Sequence, residues 1–169
     1  YTMYTIQSAR LGFLPMDKEL LEAALLGESE LANYLGLNVI EGVIEPIHKE
    51  RVFPIRLKKL AKNPSYSKWY GYIIELKSNT VIGMMGFKTP PNEKSLIEIG
   101  YGIHLNFRGN GYATEMTQAL KEWAFQQPLV KGIKANISSD NYASLKIAEK
   151  LGMIANNQNK DCLNYIVFK

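Results

Sequence analysis

Residues 106–114 read Asn106-Phe107-Arg108-Gly109-Asn110-Gly111-Tyr112-Ala113-Thr114, and the reading of this stretch decides the fold. Residues 96–106 alternate in polarity and predict a strand entering it. Residues 112–126 predict a helix leaving it, because Ala113, Met116, Leu120, Trp123 and Ala124 recur at i, i+3, i+4 and i+7 spacing. Glycines let the backbone turn tightly and let a ligand approach its amides. The first amides of a helix lack internal partners, and the helix dipole adds positive charge there. Arg108 supplies a full charge beside this anion site. A plain strand-to-helix turn would carry similar letters. Two familiar phosphate loops do not fit: the Gly-Lys-Ser/Thr of a Walker loop is absent. A dinucleotide fingerprint needs a third glycine where Thr114 stands. It also needs an acidic residue about 20 positions on, where the chain has Lys134-Ala135-Asn136.

Outward from this loop, strands and helices are mixed. Towards the N-terminus the pattern predicts an opening strand over residues 5–14, stopped by Pro15, then a helix capped by Asp17 with Leu20, Leu21, Ala24 and Leu25 on one stripe. A second helix spans 28–35. Residues 37–53 fit a helix, a lid or a partner surface. Pro54 opens another helix, which Asn63-Pro64 closes. Strands over 70–77 and 81–88 flank a Ser78-Asn79-Thr80 turn. Beyond the loop's helix come a strand at 132–138, a helix capped by Asp140 or Asn141 and running to Leu151, and strands at 153–155 and 163–168 around a polar turn at 156–161. The expected fold class is α/β (α+β), one domain over residues 1–169.

Composition agrees and excludes several classes. The 169 residues are 46% hydrophobic and 21% charged, a globular balance. No run approaches the ~18 apolar residues of a bilayer span, and the residues given do not open with a secretory-signal pattern. A cytoplasmic location with no membrane partner is expected. The single cysteine, Cys162, cannot close a disulfide within the chain and fits a reducing compartment. Cys162, His48 and His104 show no metal-ligand spacing, so no metal is expected. Twenty Lys+Arg against sixteen Asp+Glu give +4, which suits an anionic small molecule as well as nucleic acid. Arg56, Lys58, Lys59 and Lys62 lack aromatic interleaving and read as a solvated helix face, so no nucleic-acid partner is expected.

The strand entering the loop has two unlike faces. Glu98, Gly100, Gly102 and His104 share one; Ile97, Ile99, Tyr101, Ile103 and Leu105 share the other. The second is an apolar wall. The first carries a carboxylate, two bare backbone positions and an imidazole, the pattern of a substrate floor.

Arg108-Gly109-Asn110-Gly111-Tyr112-Ala113 resembles the Arg/Gln-x-x-Gly-x-Gly/Ala loop of the GNAT superfamily of acyl-CoA-dependent N-acetyltransferases. Glu98-Ile99-Gly100-Tyr101-Gly102-Ile103 looks like the strand before that loop. Asp140-Asn141-Tyr142-Ala143-Ser144, with Glu149-Lys150-Leu151-Gly152-Met153, is similar to a segment of the branch that acetylates ribosomal-protein N-termini and related amines. Trp69 and Ile82-Gly83 to Gly86-Phe87 also match that branch. The resemblance runs from residue 10 to 155 and is weakest between 37 and 54.

It implies a mixed, mostly antiparallel twisted sheet flanked by helices, with a splayed central strand pair. It also implies acetyl-CoA as cosubstrate. Its pyrophosphate would be held at Arg108, Gly109, Asn110, Gly111, Tyr112 and Ala113, with the Thr114 hydroxyl nearby. The pantetheine arm would pair with backbone groups of Ile103, His104 and Leu105. Asn141 resembles the residue that contacts this arm, and also reads as a helix N-cap; Ser144 resembles the residue near the thiol.

Acetyl transfer to an amine needs a base, because an alkyl amine is protonated at neutral pH. Glu98 is the first candidate, matching a family glutamate; a salt bridge is its alternative. His104 is the second, with a structural or cofactor-contacting role as its alternative. The usual tyrosine acid falls at Ala148, which leaves Ser144 or Tyr142 as substitutes, or solvent. Cys162 has no evident base and reads as packing. The expected activity is direct acetyl transfer to a protein N-terminus or small-molecule amine; a non-catalytic acyl-CoA sensor is the alternative. The acceptor pocket is expected from residues 36–54, whose apolar side chains could equally form a homodimer contact.

Overall fold

Period-two alternation through the middle of the chain builds a twisted sheet whose two faces bury separate cores. The computed structural model describes residues 4–158 and 161–169. Its strands are β1 (Ile6–Gln7), β2 (Leu11–Pro15), β3 (Asn38–Val39), β4 (Tyr70–Glu75), β5 (Thr80–Phe87), β6 (Leu96–Ile103), β7 (Gly132–Ser138), β8 (Ile154–Gln158) and β9 (Cys162–Phe168). They lie in the order β1-β2-β4-β5-β6-β7-β9-β8, with β3 beside β5. Pairing is antiparallel apart from β3–β5 and β6–β7. The helices are α1 (Lys18–Leu26), α2 (Glu28–Leu35), α3 (Phe53–Lys62), α4 (Tyr112–Phe125) and α5 (Tyr142–Lys150). None among the described residues is long and apolar enough to cross a membrane.

On one face Ile73, Ile82, Met85 and Phe87 pack with Met116, Leu120 and Ala124 of α4 and with Ala148 of α5. Trp123 stacks on Phe87 and meets Trp69 edge-on. On the other face Tyr72, Ile74, Val81 and Met84 pack with Leu20, Leu21, Leu31 and Phe53 from α1 to α3. Asp17 caps α1, its Oδ1 accepting from Leu20 N–H at 2.9 Å. The feature that positions the site is β6. It pairs with β7 only at Leu96, Ile97 and Glu98, opposite Gly132, Ile133 and Lys134. Beyond that point β7 stays with β9 and β6 stays with β5, so the two central strands part.

Several sequence readings need correction. The opening strand is a β1–β2 hairpin, because the Glu115 carboxylate accepts from the Ser8 hydroxyl (2.6 Å) and Arg10 N–H (2.9 Å) and draws the chain into a bend. The strand before the loop ends at Ile103. His104 Nδ1 accepts from Asn106 N–H at 3.1 Å and starts a helical turn. Leu105 is thereby 70% exposed and leaves the apolar wall. Residues 37–53 hold β3 and a wide helical turn, His48–Val52, that runs into α3. Arg56 is buried against the Tyr70 ring at 4.9 Å rather than solvated, while Lys58 and Lys62 are exposed. Strand β8 runs on to Gln158, into the expected polar turn at 156–161; residues 159–160 of that turn lie outside the described residues.

Candidate functional site

The loop that carries the anion-binding signal sits where α4 begins. Gly109 and Gly111 adopt φ of 81° and 77°, the left-handed region that favours glycine. A Cβ built on Gly109 would meet nothing within 4 Å, so the loop's surface is open to a ligand. Glu115 N–H is the first amide to close within the helix, on Gly111 O at 3.0 Å. The amides of Tyr112, Ala113 and Thr114 precede that bond and have no acceptor in the helix ladder. Asn110 Nδ2 donates to Phe107 O at 3.1 Å and Arg108 Nε to Ile103 O at 2.9 Å, folding the loop against the end of β6.

Distant side chains hold this helix start in place. The Tyr112 hydroxyl donates to the buried Glu75 carboxylate at 2.5 Å, and Ser78 donates to its other oxygen. Burial pushes the Glu75 carboxyl up, but the bonds from Ser78 and Tyr112, with Lys77 and Arg10 nearby, outweigh it and leave it below its usual value. Arg10 lies over the Tyr112 ring at 4.4 Å and pairs with Glu115 at 2.7 Å.

From the loop a cavity of about 500 Å³ runs along α5, lined by Gly109, Gly111, Tyr112, Ala113, Thr114, Asn141 and Ser144. Lys146 and Lys150 add positive charge to it. The sequence reading missed both, although their i, i+4 spacing places them on one face of α5. Asn141 is the N-cap of α5, its Oδ1 accepting from Ser144 N–H at 3.2 Å. The cavity adjoins a second, of about 190 Å³, between β6 and β7. Ala148, at the position of the expected acid, lines this one and is buried.

Antiparallel pairing makes successive residues of β6 face opposite edges. Lys88 N–H donates to Glu98 O, and His104 N–H to Ile82 O at 2.7 Å, so the even-numbered residues serve β5. The backbone groups of Ile99, Tyr101 and Ile103 therefore face the opening. Of the three residues expected to offer backbone groups, this leaves Ile103 through its N–H, since its carbonyl already accepts from Arg108 Nε. His104 N–H is committed to Ile82, and Leu105 lies past the strand.

The side chains of β6 alternate as the sequence indicates, with no register shift against β5. Glu98 stands on the polar face, 2.7 Å from Lys88 Nζ, at the last residue before the strands part. A third cavity, of about 390 Å³, opens on this face. Gly42, Val43, Glu45 and His48 contribute to it from the 36–54 segment, facing Tyr70 and Met84. The segment is held by Glu28, whose Oε2 accepts from Gly42 N–H (2.8 Å) and Ile44 N–H (3.0 Å). His104 holds it too: Nδ1 accepts from Asn106, so Nε2 carries the proton it donates to Glu41 O at 2.9 Å. His48 is pushed below its usual pKa by burial, against the opposing pull of Glu45. Among the described residues no group of three His, Cys, Asp or Glu could hold a metal ion.

The structure thus brings Ser144, Asn141 and the loop residues around one cavity; Glu98 lines none of the three and stands next to them through Lys88, which lines the narrow one. It also places there a residue that period-two reading had given to the apolar wall, Tyr101, which lines all three cavities while its hydroxyl oxygen is buried.

Comparison with known proteins gives a consistent result. The family model of the acetyltransferase (GNAT) domain matches residues 10–154. The uncharacterized N-acetyltransferase YjdG of Bacillus subtilis (strain 168) is 30% identical over 165 residues, covering 97% of this chain and 98% of that protein. Among solved structures, the ribosomal-protein-S5-alanine acetyltransferase from Vibrio fischeri superposes with a TM-score of 0.70 at 14% identity, covering 96% of this chain and 94% of that one. RimL, a ribosomal L7/L12 alpha-N-protein acetyltransferase in complex with coenzyme A, gives 0.67 at 14% identity, covering 95% of each chain. At such identity the solved structures bear on the fold.

Proposed function

The chain belongs to the GNAT acetyltransferase family, and from that membership we propose that it transfers an acetyl group from acetyl-CoA to a primary amine in one ternary complex. The acceptor is a protein N-terminus or a small-molecule amine. The observation that carries this reading is the parting of β6 and β7 just beyond Glu98, which opens the sheet between the loop-side cavity and the cavity on the Gly102–His104 face.

The residues present suit a coenzyme A thioester. Open glycines and the first amides of α4 form an anion cradle, with Arg108, Lys146 and Lys150 nearby. The outward backbone groups of Ile99, Tyr101 and Ile103 suit an amide-bearing arm laid along the strand. When bound, acetyl-CoA supplies the activated acyl group; the chain does the rest. Glu98 takes the proton of the incoming ammonium, directly or through water. Backbone N–H groups of β6 that face the opening stabilise the oxyanion. Asn141 and Ser144, at the start of α5, flank the arm. His104, with both ring nitrogens committed, positions residues 41–45 over the acceptor cavity.

The test is thiol release from acetyl-CoA in the presence of an alanyl peptide, a polyamine or an aminoglycoside. Amine-dependent release, reduced about 100-fold in Glu98→Gln, supports the reading. Protein that binds acetyl-CoA yet releases no thiol with any of them would favour an acyl-CoA sensor.

A further inference from the structure

We propose that Tyr101 is a catalytic residue of this cleft, its hydroxyl donating the proton taken up by the departing coenzyme A sulfur. This rests on the acetyl-transfer reading and adds to it the group that serves the leaving thiolate.

Three observations carry it. Among the described residues, Tyr101 alone lines all three cavities, so the residue stands where the cofactor side and the acceptor side meet. Its Oη is buried without a hydrogen-bond partner, Ser144 being the side chain that comes near enough to act on it. A buried hydroxyl left unpaired is costly, and a ligand atom arriving in the cleft would relieve that cost. Among the described residues the other buried side-chain atoms without a partner are Arg56 Nε and Tyr72 Oη, and neither residue lines any of the three cavities. Finally, the side chains of Tyr101 and Glu98 lie on opposite faces of β6 at the point where β7 has left it. A carbonyl carbon held in the gap would meet its amine from the Glu98 face and lose its sulfur toward the Tyr101 face.

The protonation state is right for a donor. Burial raises the Tyr101 phenol above its ordinary value, and Ser144 only partly offsets that, so the hydroxyl is intact at neutral pH. The charged groups that line the same cavities are the Lys88 ammonium beside the gap, Arg108, Lys146 and Lys150 on the loop and α5, and Glu45 on the acceptor side. The other α5 side chains lining the narrow cavity are poorer acids: Ile147 and Ala148 are apolar, and Ser144 is a weakly acidic alcohol.

The step balances. The incoming ammonium gives one proton to Glu98, which returns it to solvent; the freed amine forms the new C–N bond, and the nitrogen sheds its second proton by the same route. The C–S bond breaks, sulfur keeps the electron pair and takes the Tyr101 proton, and the phenolate recovers a proton from solvent through the open cleft.

The experiment uses coenzyme A carrying carbon-13 in the methylene next to sulfur, whose chemical shift follows thiol ionisation. Wild type, Tyr101→Phe and wild type with 3-fluorotyrosine at position 101 are each saturated and titrated around the ordinary thiol pKa of about 8.5. A hydrogen bond from Tyr101 stabilises the thiolate. The bound thiol should therefore ionise at least about threefold more readily in wild type than in Tyr101→Phe, and more readily still with fluorotyrosine. A merely structural tyrosine would not produce that order. Identical titrations in protein that binds coenzyme A would overturn the assignment and leave the acetyltransferase reading intact. Failure of folded wild type to bind coenzyme A at all would overturn both.

Discussion

Lys88 Nζ lies 2.7 Å from Glu98 Oε2, and the pair sits at the last residue where β6 and β7 are joined. The Lys88 stem passes 3.2 Å from where a Cβ on Gly100 would stand, so the ion pair lies along the bare floor of the strand. A carboxylate held there can receive a proton from an amine entering from the acceptor side. Glu98→Gln keeps the shape and removes the base. Acetyl-CoA affinity should be unchanged and kcat should fall about 100-fold or more, measured as amine-dependent thiol release with the binding constant determined separately.

The cavity proposed for the acceptor depends on Glu28. One carboxylate oxygen holds both Gly42 N–H and Ile44 N–H, and Gly42, Val43, Glu45 and His48 form one wall of that cavity. Charge-assisted bonds of this kind contribute about 1.5–3 kcal/mol. Glu28→Ala should raise KM for the amine about tenfold or more while leaving acetyl-CoA binding alone. Glu28→Gln, which keeps an acceptor oxygen, should recover most of the loss. Steady-state kinetics in both substrates separates the two effects.

Acid should loosen the start of α4. Glu75 and Glu115 both end below the usual carboxyl range, because the Ser78 and Tyr112 bonds to one and the Ser8 and Arg10 bonds to the other outweigh burial, which pushes each up. A carboxyl whose folded pKa is depressed adds stability that is complete above its unfolded pKa of about 4.3 and is lost as pH falls through the lower folded value. Urea midpoints should therefore drop below about pH 5. Tyr112→Phe, which removes one donor from buried Glu75, should cost about 1–3 kcal/mol near neutrality. It should also flatten the acid limb. An unchanged midpoint at neutral pH would contradict the anchoring role of Tyr112.

Much of this architecture was legible because its signals are local. The helical stripe of Met116, Leu120 and Ala124 is buried as its spacing requires, and the alternation of β6 holds from Ile97 to Ile103. The Asp17 and Asn141 caps are in place. What escaped depended on contacts distant in sequence. The bend after β1 is set by Glu115, more than a hundred residues away. Arg56 is buried because the Tyr70 ring receives it, which no helical wheel reveals. Tyr101 satisfied the apolar period with its ring, and that period says nothing about where its hydroxyl ends. Residues 37–53 have no single period, since they combine a two-residue strand, a loop held by Glu28 and His104, and a wide helical turn.

The claim on which the rest depends is that the loop at Gly109–Gly111 and the opening beside β6 bind acetyl-CoA. Calorimetric titration of the purified protein with acetyl-CoA, with NADH and ATP as controls, tests it most directly. Gly111 lies at φ 77° with Arg10 Nη2 3.6 Å from where a Cβ would stand, so Gly111→Trp strains the turn and fills the cradle. The expected result is selective one-to-one binding of acetyl-CoA that weakens at least about tenfold in Gly111→Trp. Folded wild type that binds no acetyl-CoA, or a Gly111→Trp variant that binds it as well as wild type does, would contradict the assignment.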